Sequence, residues 1–346
     1  MAMRFLCKDC WIAHGEETLL ARCKRCEANT RIRRFEPLAS KLGRRVERGP
    51  LVCKIHPSEP LDVYCGACEK EVPPRTVIGD RSVVALAGDT ASGKTSYLWV
   101  LSEQLRANDG GIFIRQALGD SDEQMLKAAR ELLEGGRQTP TDDAYVRNYA
   151  WELSNGDRGA TVIAFHDAAG EVWSDLARLS RTAYDRFYRY LDLAGSVIFT
   201  IDGAHVAAVM DAEARRGIAP PQSRSAQSHE IAIVDAISRR IRARGDRMPA
   251  SAVITKTDIL WDRPEWSVFR ADSGADAETI GKTARELLMK SGRTSLVRAL
   301  EETFAPVRYF GISAFGRGMD EPLQIEDLRP ARVTEPLLAL LRSGRV

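Results

Sequence analysis

Cysteine is missing from most of this chain. Of its 346 residues, none after position 68 is a cysteine. All seven cysteines lie between Cys7 and Cys68, and six of them form Cys-x2-Cys pairs. An odd number of cysteines in such pairs is atypical of a disulfide scaffold and favours metal binding in a reducing compartment. The cysteines therefore mark a separate N-terminal module.

The chain also has few features of a membrane or secreted protein. No apolar run approaches the roughly 20 residues that a spanning helix needs, and the first seven residues lack the apolar stretch of a secretory signal. We therefore expect a cytoplasmic protein. With 50 basic and 48 acidic side chains, the formal net charge is only +2, so the overall charge does not indicate a polyanion as partner.

The cysteine-rich segment supplies ligands for two tetrahedral zinc sites, because each Cys-x2-Cys or Cys-x2-His pair directs two ligands at one ion. In chain order, the first site consists of Cys7, Cys10, Cys23 and Cys26. The second site consists of Cys53, His56, Cys65 and Cys68. These eight ligands fill two closed sites and leave no open position for catalysis. We therefore expect two structural Zn²⁺ ions.

Spacing alone leaves the pairing of these ligands open, since an interleaved arrangement of the RING cross-brace kind uses the same residues. The first set resembles a generic zinc ribbon, and the second, CKIHPSEPLDVYCGAC, resembles the first half of a B-box zinc module. The basic run 31–49 between them has two interpretations. In the first interpretation this run binds nucleic acid or an acidic protein. In the second it is a solvated linker or an amphipathic helix without a binding role.

A phosphate-binding loop follows the apolar run 82–87, which predicts a buried parallel strand. The next eight residues fit the pattern Gly-x4-Gly-Lys-Thr and lead into a predicted helix that extends to about Ala107. They are Gly88, Asp89, Thr90, Ala91, Ser92, Gly93, Lys94 and Thr95. In such a loop backbone N–H groups surround phosphate oxygens, the lysine reaches the β- and γ-phosphates, and the threonine hydroxyl binds Mg²⁺.

Two further motifs follow predicted strands. Residues 160–166 predict a strand that ends at the sequence DAAG, in which Asp167 lies near the metal and Gly170 near the γ-phosphate. Residues 251–254 predict another strand, which runs into the sequence TKTD, Thr255 to Asp258. Ligands of open parallel sheets bind at these strand ends.

The sequence TKTD indicates guanine rather than adenine. The Asp258 carboxylate accepts hydrogen bonds from N1–H and the exocyclic N2–H of guanine, which adenine does not offer, and the stem of Lys256 packs over the base. The predicted strand 307–312 ends at Ser313 and Ala314, where a backbone amide meets guanine O6. The nucleotide is therefore expected to be GTP or GDP.

Together, GDTASGKT, DAAG, TKTD and SA resemble the motifs of the Ras-like, translation-factor-related GTPases, over approximately residues 79–346. The cysteine-rich N-terminus, the long insertions and the ending VTEPLLALL resemble more narrowly the bacterial double-GTPase families. The resemblance implies hydrolysis of GTP with Mg²⁺ held by Thr95 and Asp167, with Lys94 stabilising transferred charge and Gly170 sensing the γ-phosphate. It also implies a role in bacterial conflict or defence systems.

Three positions depart from the family pattern or stay open. Thr255 replaces the usual Asn, but its hydroxyl is expected to bond to the phosphate loop. Glu171 replaces the usual water-orienting Gln, so it either acts in catalysis or is a surface residue of a helix. Either Thr139 or Thr141 is the switch threonine, and Thr141 fits the pattern better. No arginine finger is evident, and a partner is one source of such a residue.

The predicted organisation is a two-site zinc region at 1–70, a linker at 71–78 and a P-loop GTPase domain at 79–346. The alternation of strands and helices in the last range predicts an α/β fold with a mainly parallel sheet flanked by helices. Residues 211–229 are polar and contain Pro and Ser, which is typical of an inserted loop.

These observations favour a GTP-binding switch that hydrolyses GTP and whose zinc region docks a protein partner. A non-hydrolysing nucleotide-dependent scaffold is the alternative that Glu171 motivates. A nucleic-acid binder regulated by GTP is a third, which depends on the basic run 31–49 alone.

Overall fold

A computed structural model describes most of the chain, in ranges separated by gaps. The described residues are 4–7, 13–15, 19–23, 25, 29–31, 55–56, 58, 62–72, 80–107, 111–118, 121–133, 147–154, 160–167, 191, 194–214, 221–244, 247–316 and 328–343.

In the described part of the cysteine-rich region, six short strands form two small sheets. Strands β1 (Arg4–Leu6) and β2 (Ala13–Gly15) pair with each other. The other sheet has the order β4-β3-β5-β6. Its strands are β3 (Leu19–Arg22), β4 (Asn29–Arg31), β5 (Asp62–Cys65) and β6 (Glu71–Val72). The buried side chains described in this region are three cysteines, Leu19 and two valines, which is a small core for the number of residues involved.

A seven-stranded sheet with the order β13-β12-β11-β7-β10-β9-β8 forms the larger part of the described structure. Its strands are β7 (Asp80–Gly88), β8 (Phe113–Ala117), β9 (Arg147–Ser154), β10 (Ala160–Asp167), β11 (Ser196–Asp202), β12 (Ala250–Thr255) and β13 (Val307–Gly311). The five strands from β13 to β10 are parallel, and β9 is antiparallel to both neighbours. This confirms the mainly parallel α/β sheet that the sequence predicts.

Helices cover both faces of this sheet. They are α1 (Lys94–Arg106), α2 (Ser121–Leu133), α3 (Gly203–Ala214), α4 (Pro221–Arg244), α5 (Pro264–Ser267), α6 (Ala277–Lys290), α7 (Thr294–Thr303) and α8 (Glu335–Arg342). Along β7, Ala85 belongs to a core shared with α3, α4, α6 and α7, whereas Leu86 belongs to a core shared with α1, α2 and α8. Alternate residues of a strand point to opposite faces, so β7 is covered on both sides.

Where the structure describes it, the polar segment 211–229 is helical and is not the loop that its composition predicts. Helix α3 continues to Ala214, and α4 starts at Pro221, where a missing N–H costs nothing in the first turn. The apolar face of α4, with Ile233 and Val234 fully buried, packs into the core and stabilises the helix.

The segment 277–303 contains two helices, α6 and α7, with a break between them. Gly292 between them has a left-handed backbone (φ 76°), which ends the first helix. No helix in the described ranges combines the length and apolar character that crossing a membrane requires.

Candidate functional site

The loop between β7 and α1 wraps around a lysine ammonium group. Lys94 starts α1 and is 6% exposed, and its Nζ donates hydrogen bonds to the carbonyl oxygens of Gly88 at 2.9 Å and Asp89 at 2.8 Å. The turn requires left-handed backbone at Ala91 (φ 59°) and Gly93 (φ 81°). A buried cation at a helix N-terminus and a tightly curved backbone together provide the chemistry that binds phosphate oxygens.

Thr200 of strand β11 forms hydrogen bonds that hold this loop in place. The hydroxyls of Ser92 and Thr200 lie 2.8 Å apart, and Thr200 also donates to the carbonyl oxygen of Ala87 at 3.2 Å. A Cβ atom at Gly88 would lie 2.2 Å from Thr200 Oγ1. Because Gly88 also has φ 153°, a larger residue there would displace the loop.

The end of β12 is bonded to the phosphate-binding loop through a threonine. Thr255 Oγ1 donates to the carbonyl oxygen of Ser92 at 2.9 Å and lies 3.2 Å from that of Ile201. This confirms the expectation that the hydroxyl of Thr255 bonds to the loop.

Lys256 forms a second link between the same two elements. Its backbone is left-handed (φ 54°), and its Nζ lies 2.8 Å from the carbonyl oxygen of Ala91 and 2.8 Å from Asp202 Oδ2. The ammonium group is therefore held beside the loop, and the aliphatic stem is available to cover a base.

Asp258 lies in a 3₁₀ turn, Thr257–Leu260, close to the end of β13. Ser313 Oγ donates to Asp258 Oδ1 at 2.5 Å, and the backbone N–H of Gly316 donates to Ser313 Oγ at 2.7 Å. Burial raises the pKa of Asp258, whereas the bond from Ser313 and the charge of Lys256 lower it. Ala314 follows Ser313 and is partly buried. The sheet thus brings together the motifs TKTD and SA, which lie more than 50 residues apart.

The predicted magnesium ligands are described in part. Thr95 is the second residue of α1 and is partly buried. Asp167 ends β10, and its backbone pairs in register with Leu86 of the adjacent β7. Thr139, Thr141, Gly170 and Glu171 lie outside the described residues.

A group of charged residues behind the loop was not anticipated from the sequence. Arg293 and Glu230 are 0% and 2% exposed and form an ion pair of 2.8 Å between Nε and Oε2. Burial raises the pKa of Glu230, and Arg293 lowers it. The Nδ1 atom of His229 lies 3.5 Å from Asp89 Oδ1. No motif marks these residues, and only their positions in the folded chain bring them to the loop.

In the N-terminal region the sulfur atoms of Cys7, Cys65 and Cys68 all lie within 4.8 Å of one another. Cys23 Sγ lies 3.7 Å from His56 Nδ1. These two groupings differ from the sequential pairing, which joins Cys7 to Cys23 and His56 to Cys65. The physical reason is that β3 and β5 pair over a long sequence distance. Cys10, Cys26 and Cys53 fall in the gaps of the described ranges.

Comparison with known proteins gives one family match. Residues 82–326 match the sequence model of a family described as Double-GTPase 2. No curated protein matches the chain. Among solved structures, a chain of the "Signal recognition particle receptor SRb-GTP/SRX complex from Chaetomium thermophilum" is 16% identical, with 70% of this chain and 94% of that chain covered and a TM-score of 0.37. A likeness of that size carries no functional inference.

Proposed function

Because the chain belongs to the Double-GTPase 2 family, we propose that it is a GTP-binding switch that hydrolyses GTP with Mg²⁺. One observation carries this proposal: Thr255 and Lys256 of the TKTD motif bond directly to the backbone of the phosphate-binding loop, at Ser92 and Ala91. A base held by TKTD and phosphates held by the loop would then belong to one nucleotide.

The phosphate half of the proposed site is the loop 88–95. Lys94 bonds to loop carbonyls in the described structure and would exchange them for the β- and γ-phosphates. Its charge, with the loop N–H groups, would stabilise the transferred phosphoryl group. The hydroxyl of Thr95, at the start of α1, and the carboxylate of Asp167, the last residue of β10, are hard oxygen ligands of the kind that Mg²⁺ prefers. A bound Mg²⁺ would neutralise phosphate charge.

The remaining catalytic assignments are proposals from the sequence. Thr141 would act as the switch threonine, Gly170 would offer its N–H to the γ-phosphate, and Glu171 would orient the attacking water. The loop motions that release these groups after hydrolysis would make the protein a switch.

The base half of the site is proposed to select guanine. Asp258 would accept from N1–H and N2–H, Lys256 would cover one face of the base, and the backbone at Ser313 and Ala314 would meet O6. The bond from Ser313 Oγ to Asp258 Oδ1 supports this, because it holds the carboxylate in one orientation.

Nucleotide titration of the full chain tests the base assignment. GTP should bind far more tightly than ATP, and Asp258→Asn should shift preference from GTP towards XTP, since the amide N–H can donate to the O2 carbonyl of xanthine but faces the donating N2–H group of guanine. Asp262→Asn, an exposed aspartate of the same segment, is the matched control. Equal affinity of the parent protein for ATP and GTP would contradict the proposal.

Phosphate release separates the switch from a non-hydrolysing scaffold. The parent protein, alone or with its partner, should release phosphate from GTP, and Lys94→Ala should abolish this turnover. Lys290→Ala, at an exposed helix end, should not. GTP binding without any turnover would favour the scaffold.

For the N-terminal part we propose a zinc region that binds two Zn²⁺ and docks a protein partner, then a linker, and the GTPase domain at 79–346. Because β6 (Glu71–Val72) pairs with β5, we place the start of the linker, predicted at 71–78, after Val72. The thiol cluster of Cys7, Cys65 and Cys68 supports metal binding. The bacterial conflict role, the cytoplasmic location and contact of the basic run with nucleic acid stay predictions. Salt-dependent binding to mixed RNA and DNA would test the last of these.

A further inference from the structure

The two ends of the β3–β5 strand pair carry different candidate zinc ligands. The strands are antiparallel, with Leu19 opposite Cys65 and Arg22 opposite Asp62. Cys23 directly follows β3, so it lies at the end of the pair opposite to Cys65. Along the strand direction, Cys23 and Cys65 are therefore four residues apart, which corresponds to roughly 13 Å. Two thiolates on one tetrahedral ion lie only about 4 Å apart.

At the Cys65 end, a tight turn directs two thiols towards a third. The backbone N–H of Ala67 donates to Cys65 Sγ at 3.4 Å, and Cys65 exchanges backbone hydrogen bonds with Lys70 and Glu69. Cys68 lies within this turn, and its sulfur is 3.6 Å from that of Cys7. The sulfur separations match those of ligands around a single ion.

At the Cys23 end, the nearby ligand is a histidine. Cys23 Sγ and His56 Nδ1 are 3.7 Å apart, and they lie 33 residues apart in the chain. A separation of this size is also that of two ligands on one tetrahedral ion.

We propose that the region binds its two zinc ions in a nested order, which rests on the zinc binding proposed above. An outer site is formed by Cys7, Cys65 and Cys68. An inner site contains Cys23 and His56. Each of these residues belongs to an x2 pair of the sequence, in chain order Cys7 and Cys10, Cys23 and Cys26, Cys53 and His56, and Cys65 and Cys68.

The nested order differs from the sequential and the cross-brace arrangements. In a sequential order the first and second pairs share an ion, and in a cross-brace the first and third pairs do. Here the first pair joins the fourth, and the second joins the third. The outer ion would therefore connect the beginning of the module to its end. The inner ion would connect the residues on either side of the basic run 31–49.

Zinc content of full-length double variants distinguishes the three orders. In the nested order Cys7→Ala with Cys65→Ala removes ligands from one site, so one ion is retained. Cys7→Ala with Cys23→Ala removes ligands from both sites, so none is retained. A sequential order gives the opposite pair of results, and a cross-brace loses both ions in each double variant. Either of these patterns overturns the proposal. His14→Ala, a histidine of the same region, is the control and should retain both ions.

Ligand removal can unfold a small metal module, so a measurement on the unaltered protein is also needed. With NMR-active cadmium in both sites, scalar coupling connects each metal nucleus to the protons of its own ligands. The cadmium coupled to the His56 ring should also couple to the Cys23 methylene protons, and the other cadmium to those of Cys7, Cys65 and Cys68. Coupling of one cadmium to both His56 and Cys65 overturns the nested order. A protein that binds neither zinc nor cadmium would instead overturn the zinc proposal itself.

Discussion

Lys256 forms an ion pair with Asp202, with 2.8 Å between Nζ and Oδ2, and Asp202 also accepts a hydrogen bond from the N–H of Ala204 through Oδ1. Asp202 thus joins the TKTD motif to the first turn of α3. Its side chain is 7% exposed, whereas that of Lys256 is 40% exposed. The buried carboxylate therefore fixes the position of the more exposed ammonium group.

Replacing Asp202 by Asn is expected to weaken GTP binding. The amide oxygen still accepts from Ala204, but the charge pair with Lys256 is lost, which corresponds to about 1–2 kcal/mol or roughly 5- to 30-fold in affinity. Titration with a fluorescent GTP analogue measures the change. Asp235→Asn, an exposed aspartate of α4, should leave the affinity unchanged. Equal affinities of parent and Asp202→Asn would show that Lys256 needs no such support.

Replacing Thr255 by Val is expected to destabilise the nucleotide-free protein. The change preserves shape but removes the hydroxyl that bonds to Ser92, leaving a buried carbonyl oxygen without this donor, at a cost of about 1–3 kcal/mol. Urea denaturation measures the loss, and GTP affinity should fall in parallel because the loop loses its tether. Thr255→Ser keeps the hydroxyl and should behave like the parent. Identical loss in both variants would assign the effect to packing of the methyl group.

The described part of the candidate nucleotide site was predictable because its motifs are local in the sequence. An apolar run followed by GDTASGKT predicts a strand, a curved loop and a helix. The structure has β7, the loop and α1 in these places. The contact between Thr255 and the loop was also predictable, because carboxyl ends of parallel strands meet at one edge. Asp202 was not predicted to act, since a single aspartate at a strand end carries no motif.

Long-range pairing explains what the sequence did not reveal. Cysteine spacing identifies which residues are metal ligands, but the pairing of β3 with β5 decides which ligands meet. Composition likewise suggested a loop before residue 229, whereas burial of Ile233 and Val234 stabilises α4 back to Pro221. In both cases tertiary contacts outweigh the local pattern.

A pH dependence of stability is expected from Asp258. Burial raises its pKa in the folded, nucleotide-free protein, so the unfolded chain loses this proton first as the pH rises. The resulting destabilisation is absent below about pH 4, the ordinary range of an aspartate, and is fully present above the raised value. Asp258→Asn should therefore be the more stable protein at neutral pH, with the difference vanishing in acid.

Denaturation of both proteins across this pH range measures the effect. Asp262→Asn, which is exposed, should show no such pH-dependent gain. A constant difference between Asp258→Asn and the parent at all pH values would contradict the assignment.

Removing one partner of the buried Arg293–Glu230 pair is expected to destabilise the protein, because the charge of the other partner then stays buried without compensation. Arg293→Met would strand a buried carboxylate and lower the free energy of unfolding by about 3–5 kcal/mol. Adding Glu230→Gln should restore a large part of this loss, because the uncompensated charge is removed. Chemical denaturation of the two variants measures both changes, with Arg298→Met on the exposed side of α7 as the control. A double variant no more stable than Arg293→Met would contradict this explanation, because both variants lack the Arg293 hydrogen bonds to Glu230 and Ser291 and differ only in the charge at position 230.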